Sequence, residues 1–243
     1  MEHAEYISMD ALERNHWWFQ AKRIFLDIVL SWYMPQKNLQ TLDVGCGTGA
    51  VMQMLIKKGY RSEGVDFSDV ALEFCRKKNL TVSKGFAEKL PYPDNSFDVV
   101  TVLDVLEHLT DETLAINEIQ RVLRPGGVVV ATVPAHQFLW SYHDEELHHH
   151  RRYNKKNFTA IFKGKLDILH VSWIHFFIVF PAVVVRLLLK LSGSEKKSSD
   201  IKKNGKIVTF LMHMIYNVEY FLFRCFKKLP IGLSLIIVAK KKI

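Results

Sequence analysis

Cysteine is scarce in this chain, and its placement excludes a disulfide framework. Among 243 residues there are three cysteines, Cys46, Cys75 and Cys225, which are far apart and odd in number. Small secreted domains that depend on disulfides are dense in cysteine, whereas proteins of reducing compartments are not. The chain also has only 12 glycines and 7 prolines against 49% hydrophobic residues. This composition predicts a folded protein with a substantial core in a reducing compartment.

The sequence also has no segment that indicates a leader peptide or a clear membrane span. Residues 1–15 are polar and acidic, unlike the apolar core of a signal peptide. Residues 168–185 carry no charge over 18 positions, but they include two histidines, Ser172 and Pro181. A spanning helix needs about 20 predominantly apolar residues. We therefore expect a cytoplasmic protein.

Basic charge is scarce in the first part of the chain and abundant in the last. Residues 1–150 contain 14 Lys and Arg against 21 Asp and Glu, whereas residues 151–243 contain 19 against 4. The basic residues flank two apolar segments, 176–191 and 207–228, which favours interfacial helices on an anionic membrane surface. A hairpin that dips into the bilayer, an ordinary helical cap and a dimer interface are the alternatives. We expect a peripheral location at the inner face of the membrane.

Strands and helices alternate in the first part of the chain, after a helix predicted over 8–33. The predicted strands cover 41–45, 61–66, 81–85, 97–103 and 127–133, and helices at 49–59, 68–78 and 111–124 lie between them. Alternating Val-rich strands and helices predict an α/β fold with a parallel sheet covered on both faces.

The pattern changes after residue 153. The sequence predicts a short helix, a strand, an apolar helix, a Ser/Lys-rich linker, a second apolar helix and a final strand, at 154–163, 166–176, 176–191, 192–206, 207–228 and from 232 on. Such an order predicts a helical insertion before the last strand.

A glycine-rich turn follows the first strand. Gly45, Gly47 and Gly49 separate that strand from a helix, so that a ligand can approach the backbone and the free N–H groups of the helix. The spacing differs from the G-x-G-x-x-G of nicotinamide sites, and Asp43 lies two residues ahead of it. Asp66 ends the second strand, where a carboxylate can accept hydrogen bonds from ribose hydroxyls or cap the next helix.

Five motifs in order carry a resemblance to a known family. They are "LDVGCGTG", "VDFS", "AEKLPYPDNSFDVV", "LDVLEHL" and "RVLRPGG", within about residues 40–134. Together they resemble the class I S-adenosylmethionine-dependent methyltransferases. The resemblance implies a Rossmann-like, seven-stranded, mostly parallel sheet with helices on both faces. It also implies a helical cover at 1–39, a methyltransferase domain at 40–243 and a helical insertion at 176–229.

The resemblance also implies S-adenosylmethionine as cofactor and assigns residues to it. Asp43, Gly45, Cys46, Gly47 and Gly49 would hold the methionine end, Asp66 and Phe67 the ribose, Ala87 and Glu88 the adenine, and Leu103 and Asp104 the sulfonium side. One position departs from the family, which often has Asp where this chain has Phe86. We therefore expect the Ala87 N–H and apolar stacking to hold the adenine.

The ends of the chain resemble a narrower group of such enzymes, encoded among lipid and surface-glycan enzymes. The shared segments are "HWWF" at 16–19, the basic pair Lys22-Arg23, "WSYHDEELHHHRRY" at 140–153 and the P-x-G-x-S-L pattern at 230–235. The resemblance implies an acceptor site that includes Trp17, Trp18, Arg23, Arg151, Arg152 and Tyr153. We expect one tryptophan to cover the cofactor pocket and the other to pack in the core.

The stretch "HDEELHHHRRY" at 143–153 allows three interpretations. A metal site is disfavoured, because adjacent side chains of an extended chain point to opposite sides and no H-E-x-x-H spacing is present. Nucleic acid is disfavoured, because no RNA-binding module or N-P-P-Y motif accompanies the basic residues. We therefore predict no metal and no nucleic-acid partner.

The third interpretation is an acceptor lid. Loop 134–154 follows the fifth strand, at the edge where open α/β sheets bind ligands. His143, Asp144 and His149 are then general-base candidates, and Arg151 and Arg152 suit an anionic acceptor. Alternatively, Asp144 pairs with an arginine and anchors the loop. His108 is either a pocket residue or a buried, hydrogen-bonded histidine.

Together these patterns predict transfer of the methyl group of S-adenosylmethionine, with O-methylation of a lipid-linked sugar or another amphipathic acceptor as the expected reaction. A soluble small-molecule methyltransferase and a non-catalytic cofactor-binding scaffold in a membrane assembly are the alternatives. The sequence leaves open the acceptor, the methylated atom and the oligomeric state.

Overall fold

The computed structural model describes residues 3–191 and 205–243. Within them, seven strands form one sheet in the order β3-β2-β1-β4-β5-β7-β6, and only the pairs that include β7 are antiparallel. The strands are β1 (Gln40–Val44), β2 (Arg61–Asp66), β3 (Thr81–Lys84), β4 (Phe97–Leu103), β5 (Leu123–Pro134), β6 (Asp167–Ile174) and β7 (Ser234–Lys240). This confirms the predicted Rossmann-like α/β fold.

Helices cover both faces of the sheet, and two short 3-10 turns lie at Leu106–His108 and Gln137–Leu139. The helices in the described residues are α1 (His3–Asn15), α2 (Trp17–Tyr33), α3 (Ala50–Lys57), α4 (Asp69–Lys77), α5 (Glu112–Val122), α6 (Tyr142–Glu146), α7 (Lys155–Ala160), α8 (Phe176–Leu191) and α9 (Lys206–Phe226). The N-terminal helices and the helical insertion before the last strand are therefore present as predicted.

The prediction of one continuous N-terminal helix is wrong. The chain forms α1 and α2, separated by His16 in an extended conformation with ψ of 129°. The His16 ring accepts a hydrogen bond from the backbone N–H of Trp18 at 3.3 Å, which caps the start of α2. The cap redirects the chain, so that α1 lies across the sheet edge rather than continuing α2.

The fifth strand begins earlier than predicted. Helix α5 ends at Val122, and Leu123 already pairs with Phe97 of β4. The register shifts before the next pair, Val99 with Val128, so the intervening residues form a bulge in β5. The Pro-Gly-Gly segment is therefore part of an irregular strand rather than a helix terminator alone.

The two faces of the sheet bury separate apolar clusters. One contains α5 and α7 with Ile116, Phe158 and their neighbours, and the other contains α2 and α9 with Phe25 and Tyr216. The inner face of α9 thus belongs to the core, as expected of an ordinary helical cap. Its outer face is exposed, and Phe221 is one of the residues there.

A buried acid joins the two insertion helices. Glu219 of α9 is fully buried and accepts hydrogen bonds from the backbone N–H groups of Phe176 at 2.8 Å and Phe177 at 3.4 Å. These N–H groups belong to the first turn of α8, which has no internal partners for them. Glu219 therefore caps α8 and fixes its start against α9.

Helices long and apolar enough to cross a membrane are absent from residues 3–191 and 205–243. The predicted polar linker at 192–206 falls almost wholly outside the described residues. The division into a cover at 1–39 and a domain at 40–243 stays a prediction.

Candidate functional site

The glycine turn after β1 is shaped so that only glycine fits. Gly45, Gly47 and Gly49 all have positive φ, at 69°, 52° and 88°. A Cβ atom on Gly45 would lie 2.5 Å from a methyl carbon of Val105, a distance that the packing does not allow. The turn therefore presents bare backbone at the carboxyl edge of the sheet.

Two buried acids flank this turn. Asp43 accepts a hydrogen bond from the Thr101 hydroxyl at 2.6 Å, and Asp66 accepts bonds from the N–H groups of Gly47 at 3.0 Å and Ser68 at 2.9 Å. Burial raises the pKa of Asp66 and raises the pKa of Asp43 to about 7. Asp66 thus stabilises the turn and the start of the next helix. A cation or a hydroxyl donor nearby would stabilise the charged forms of both carboxylates.

An exposed aromatic pair lies beside Asp66. Phe67 and Phe86 have ring planes 14° apart and centroids separated by 6.4 Å, and they are 57% and 60% exposed. Large aromatic rings rarely stay in solvent in such an arrangement without a ligand to stack on. Sequence reasoning gave Phe86 little weight because the family often has an acid there. The structure places it where a planar base could stack.

Three further residues, Ala87, Glu88 and Cys46, were predicted to contact the adenine and methionine ends of the cofactor. Ala87 is buried behind Phe86, and Glu88 is half-buried. The Cys46 side chain packs away from the turn into a small cluster with Met52, Cys75 and Leu80. Only the backbone of Cys46 is therefore available to a ligand.

Helix α1, part of the predicted N-terminal cover, lies over the glycine turn, and sequence reasoning missed the residues that hold it there. Glu13 accepts a hydrogen bond from the Thr48 hydroxyl, and Lys78 joins Asp10 at 2.5 Å and the Thr48 carbonyl at 2.6 Å. Burial raises the pKa of Glu13, while the charges of Lys78 and Arg23 oppose that rise. Arg23 thus interacts with Glu13 by charge, and its contact with an acceptor stays a prediction.

Asp104, directly after β4, links several segments. It accepts a hydrogen bond from Thr132 at 2.9 Å and forms an ion pair with Lys22 of α2. Burial alone would raise its pKa, but Lys22 outweighs burial and lowers it. The Lys22 ammonium also lies 5.1 Å from the centre of the Trp18 ring. Leu103 packs in the core beside them.

The two tryptophans have different neighbours. Trp18 stacks on His175 at 4.2 Å, and the His175 ring bonds to the Tyr216 hydroxyl at 2.6 Å. Trp17 packs against Tyr216 with ring centroids 5.8 Å apart. Trp18 is thus the tryptophan next to Asp104, and Trp17 belongs to the contact between α2 and α9. Sequence reasoning missed Lys22 and His175.

Asp144 anchors the histidine-rich loop. Its side chain is fully buried and accepts bonds from the Ser141 N–H at 2.9 Å, from His149 at 2.9 Å and from Arg152 at 2.7 and 2.9 Å. Burial would raise the pKa of Asp144, but His149 and Arg152 outweigh it and hold that pKa well below its usual range. The assignment of Asp144 as a general base is corrected to that of an anchor.

The arginines and Tyr153 also hold the loop. Arg151 pairs with Glu112 and donates to the carbonyls of Leu109 and Thr110, each at 3.0 Å. The Tyr153 hydroxyl donates to the Leu106 carbonyl at 3.2 Å from a buried position. Both arginines pair with acids, and together with Tyr153 they line one cavity. Their contact with an acceptor stays a prediction.

The histidines in and beside this loop have different surroundings. His143 is half-buried on α6, with its Nδ1 4.0 Å from the Glu146 carboxylate. His149 instead turns inward, and its ring contacts that of His108 with centroids 4.7 Å apart. Glu107 lies beside them, and the ligand atoms of these three residues all fall within 4.8 Å of one another. Sequence reasoning missed Glu107 and left His108 open.

Comparison with known proteins finds relatives for part of the chain. A sequence profile described as "Methyltransferase domain" matches residues 42–131. Two demethylmenaquinone methyltransferases, from Staphylococcus epidermidis and Staphylococcus aureus, are 37% and 38% identical over 121 and 120 residues, or 46% of this chain. Residues 42–131 are thus similar to a methyltransferase domain. The chain spans about half the length of these curated relatives, at 50% of each.

Solved structures share the fold of this chain. A chain from the complex between the Haloferax volcanii Trm112 methyltransferase activator and the putative methyltransferase aligns over 99% of this chain and 95% of its own, with 18% identity and a TM-score of 0.65. Phosphoethanolamine N-methyltransferase 2 of Haemonchus contortus, solved with S-adenosyl-L-methionine, aligns over 96% and 60% with 19% identity and a TM-score of 0.58. At these identities the likeness concerns the fold alone.

The donor side of the site fits S-adenosylmethionine. The glycine turn leaves room that a Cβ would fill, Asp43 and Glu13 offer buried carboxylates to an ammonium, and Asp66 can accept bonds from ribose hydroxyls. Phe67 and Phe86 can stack on adenine. When bound, the cofactor would supply a methyl group on a cationic sulfur. The residues named here would hold it, and their contribution would be to position it and exclude water.

Proposed function

We propose that this methyltransferase transfers the methyl group of S-adenosylmethionine to an oxygen of an amphipathic acceptor, such as a lipid-linked sugar, at an anionic membrane surface. The observation that carries the proposal is the direct connection between the acceptor side of the site and two helices whose outer faces are exposed and apolar.

That connection runs through His175, the residue between β6 and α8. Its ring is fully buried between Trp18 and Tyr216 of α9, and the charges of Lys22 and Asp104 act on it. The 3-10 turn at Gln137–Leu139, within the predicted lid, also packs against α8. The insertion helices therefore form one wall of the acceptor side, and a lipid-like group bound along them would lie near the donor.

The outer faces of both helices are unusually apolar for a surface. On each helix the exposed side chains recur three or four positions apart, which makes one continuous stripe. They are Phe180, Val184, Val185, Leu187 and Leu188 on α8, and Ile207, Phe210, Leu211, Met214, Val218 and Phe221 on α9, each more than half exposed. An apolar stripe of this kind supports contact with a bilayer interface or a lipid.

Charge complements the apolar stripe. Residues 151–243 contain 19 Lys and Arg against 4 Asp and Glu. Arg224, Lys227 and Lys228 lie exposed at the end of α9, beside the exposed Phe226. Basic side chains next to an apolar helix face favour anionic lipid head groups. These features support a peripheral position at the inner face of the membrane.

The names of the relatives point in the same direction. The two staphylococcal proteins are named for demethylmenaquinone, a quinone. An acceptor that is a small amphipathic molecule rather than a nucleic acid agrees with that name. It also agrees with the neutralised arginines of loop 134–154, which leave little free positive charge there for a phosphate backbone.

A different reaction is the second candidate, because the fold alone does not require methyl transfer. The [4+2]-cyclase SpnF aligns over 93% of this chain with 20% identity and a TM-score of 0.60. A soluble small-molecule methyltransferase and a non-catalytic scaffold are further alternatives.

Isotope transfer separates these candidates. Purified protein is incubated with S-adenosylmethionine that carries a deuterated methyl group and with lipid or aqueous extracts, and the products are analysed by mass spectrometry. We expect label in the lipid fraction with wild-type protein, and little with the Asp66→Ala variant. Label confined to the aqueous fraction would favour a soluble acceptor, and no label in either fraction would favour the scaffold or another reaction.

A further inference from the structure

We propose that Glu107, His108 and His149 bind one divalent transition-metal ion on the acceptor side of the methyltransferase site. Metal binding itself is independent of the proposed function. Only its role, which is to hold the acceptor oxygen, rests on that function.

The strongest indication of a metal site is the environment of the Glu107 carboxylate. Its side chain is 0% exposed, and neither carboxylate oxygen has a hydrogen-bond partner among residues 3–191 and 205–243. Leaving a buried carboxylate without partners costs several kcal/mol unless it is protonated, paired or bound to a metal. The 3-10 turn at Leu106–His108 holds it there, so relaxation towards solvent is restricted.

The charges around Glu107 do not balance. The two cations that favour its ionised form are Lys22 and Arg152. Lys22 already pairs with Asp104, and Arg152 already pairs with Asp144. With Glu107 ionised, this group of five side chains carries one net negative charge, which a bound cation would compensate.

The two imidazoles are oriented as metal ligands usually are. The Nδ1–H of His149 donates to the Asp144 carboxylate at 2.9 Å, which leaves Nε2 as the nitrogen that can bind an ion. A carboxylate behind a ligating histidine is the common arrangement in metal sites, because it fixes the tautomer and the ring plane. The ring of His108 lies beside that of His149, with centroids 4.7 Å apart.

The distances fit with a small adjustment. One ligand atom from each residue lies within 4.8 Å of the other two. Ligands at about 2.0–2.2 Å from a zinc-sized ion are somewhat closer together than that, so binding would draw the three side chains inward. His108 is exposed, which leaves coordination positions open to water or to an acceptor oxygen.

The donor set indicates the class of ion. Two imidazole nitrogens and one carboxylate suit Zn²⁺, Co²⁺, Mn²⁺ or Fe²⁺, whereas Mg²⁺ and Ca²⁺ prefer oxygen ligands. The sequence argument against a metal remains valid for His148, His149 and His150 together. Only His149 takes part here, and its co-ligands come from the loop after β4.

The ion would activate the acceptor in a defined way. A metal-bound hydroxyl has a lowered pKa, so the acceptor oxygen can lose its proton to water. That oxygen then forms a bond to the methyl carbon as the bond from carbon to sulfur breaks, and S-adenosylhomocysteine leaves as a neutral sulfide. A metal-bound His149 has no free lone pair, so in this arrangement it is a ligand and not the general base.

Metal binding can be measured without donor or acceptor. Full-length protein freed of metal with a chelator is titrated with Zn²⁺ by calorimetry and with Co²⁺ by visible absorption. We expect one ion per chain and much weaker binding of Mg²⁺. Loss of a directly bound ligand should cost more than the about 10–100-fold that loss of a supporting residue costs. Glu107→Gln and His149→Ala should therefore each weaken Zn²⁺ binding by more than about 100-fold.

His150→Ala is the matched control, because His150 is exposed and adjacent but lies outside the cluster. It should bind Zn²⁺ like the wild type. Glu107→Gln replaces an unpaired buried charge with a neutral group of the same shape, so it should fold at least as stably as the metal-free wild type. S-adenosylmethionine affinity then reports that each variant is folded.

Several results would overturn the proposal. These are no binding of Zn²⁺ or Co²⁺ by the wild type, or equal Zn²⁺ affinity in Glu107→Gln or His149→Ala. A failure of the proposed function would look different. One ion would bind per chain, but no lipid would acquire the labelled methyl group. The proposed function can likewise hold without the ion, in which case methyl transfer persists in chelator and no metal binds.

Discussion

The donor side and the acceptor side of this site are built in different ways. The donor side comes from a short stretch of chain, in which Asp43, the glycine turn and Asp66 belong to consecutive strands and turns. The acceptor side combines Lys22, Glu107, His149 and His175, which are far apart in the chain. The difference teaches that local motifs shape the cofactor pocket, whereas long-range ion pairs and ring contacts shape the acceptor pocket.

The largest effect on stability should come from replacing Asp144, the residue that anchors the loop on the acceptor side. Asp144→Ala removes the partner of Arg152 and His149 in a fully buried position. Removing one member of a buried pair costs about 3–5 kcal/mol, because the other charge is left without compensation. We expect a loss of that order in the free energy of unfolding, measured with urea.

The matched control is Glu145→Ala, at the next and exposed position of α6. It should change stability by less than about 0.5 kcal/mol. In the folded fraction of Asp144→Ala, S-adenosylmethionine affinity should stay within about threefold of wild type. A large loss of affinity would contradict the separation of the two sides.

The next largest effect is the change of stability with pH that Asp43 causes on the donor side. Burial raises the pKa of Asp43 to about 7 in the folded cofactor-free protein, above its unfolded value of about 4. Its neutral form is therefore the stable one in the fold, and its contribution is fully present below about pH 4 and lost as the pH rises to about 7. Wild-type stability should fall across that window.

The variant Asp43→Asn isolates this carboxyl, since Glu13 and Asp66 also titrate with raised pKa values. The difference in unfolding free energy between variant and wild type should grow by about 2–4 kcal/mol from pH 4 to pH 7. A difference that is constant with pH would show that Asp43 titrates normally.

The contrast between the two sides also explains what the sequence could predict. The order of strands and helices and the glycine turn follow from local periodicity and motif spacing, and the structure agrees with them. The roles of Asp43 and Asp66 towards the cofactor come from the family resemblance and stay predictions. The break at His16 was not predictable from periodicity, because the apolar spacing continues through it while a side-chain cap redirects the backbone.

The acceptor side was predictable only as a region. Arg151, Arg152 and Tyr153 lie in the predicted loop, but their partners are Glu112, Asp144 and the Leu106 carbonyl. The pairing of Arg152 with Asp144 was one of the predicted alternatives. The pairings of Arg151 and Tyr153 join segments so far apart in the chain that they have no local signal. Glu107 is similar, since an acid inside "LEHL" gives no sign that it will be buried without a partner.

A moderate effect should come from Asp66→Ala. The substitution removes a buried acceptor that can bond ribose hydroxyls, so S-adenosylmethionine affinity should fall by about 1–3 kcal/mol. Asp69→Ala is the control, because Asp69 is an exposed acid at the start of the next helix. Calorimetry that finds equal affinity for Asp66→Ala and wild type would contradict the ribose assignment.

The smallest effect concerns the membrane. Lys228→Gln removes one exposed charge beside the apolar stripe, worth about 1 kcal/mol at an anionic surface. Sedimentation with vesicles that contain anionic lipid should show about fivefold weaker binding, and high salt should shrink the difference. Lys89→Gln, an exposed lysine beside the donor site, should bind like wild type. No binding of the wild type to neutral or anionic vesicles would defeat the membrane proposal.

Titration of the wild-type protein with S-adenosylmethionine tests the central claim most directly, because both sides of the site are defined by their relation to this donor. Calorimetry should give one bound S-adenosylmethionine per chain, comparable binding of S-adenosylhomocysteine, and little or no binding of a nicotinamide dinucleotide. Absence of S-adenosylmethionine binding by the folded protein, or tighter binding of the nicotinamide dinucleotide, would contradict the account.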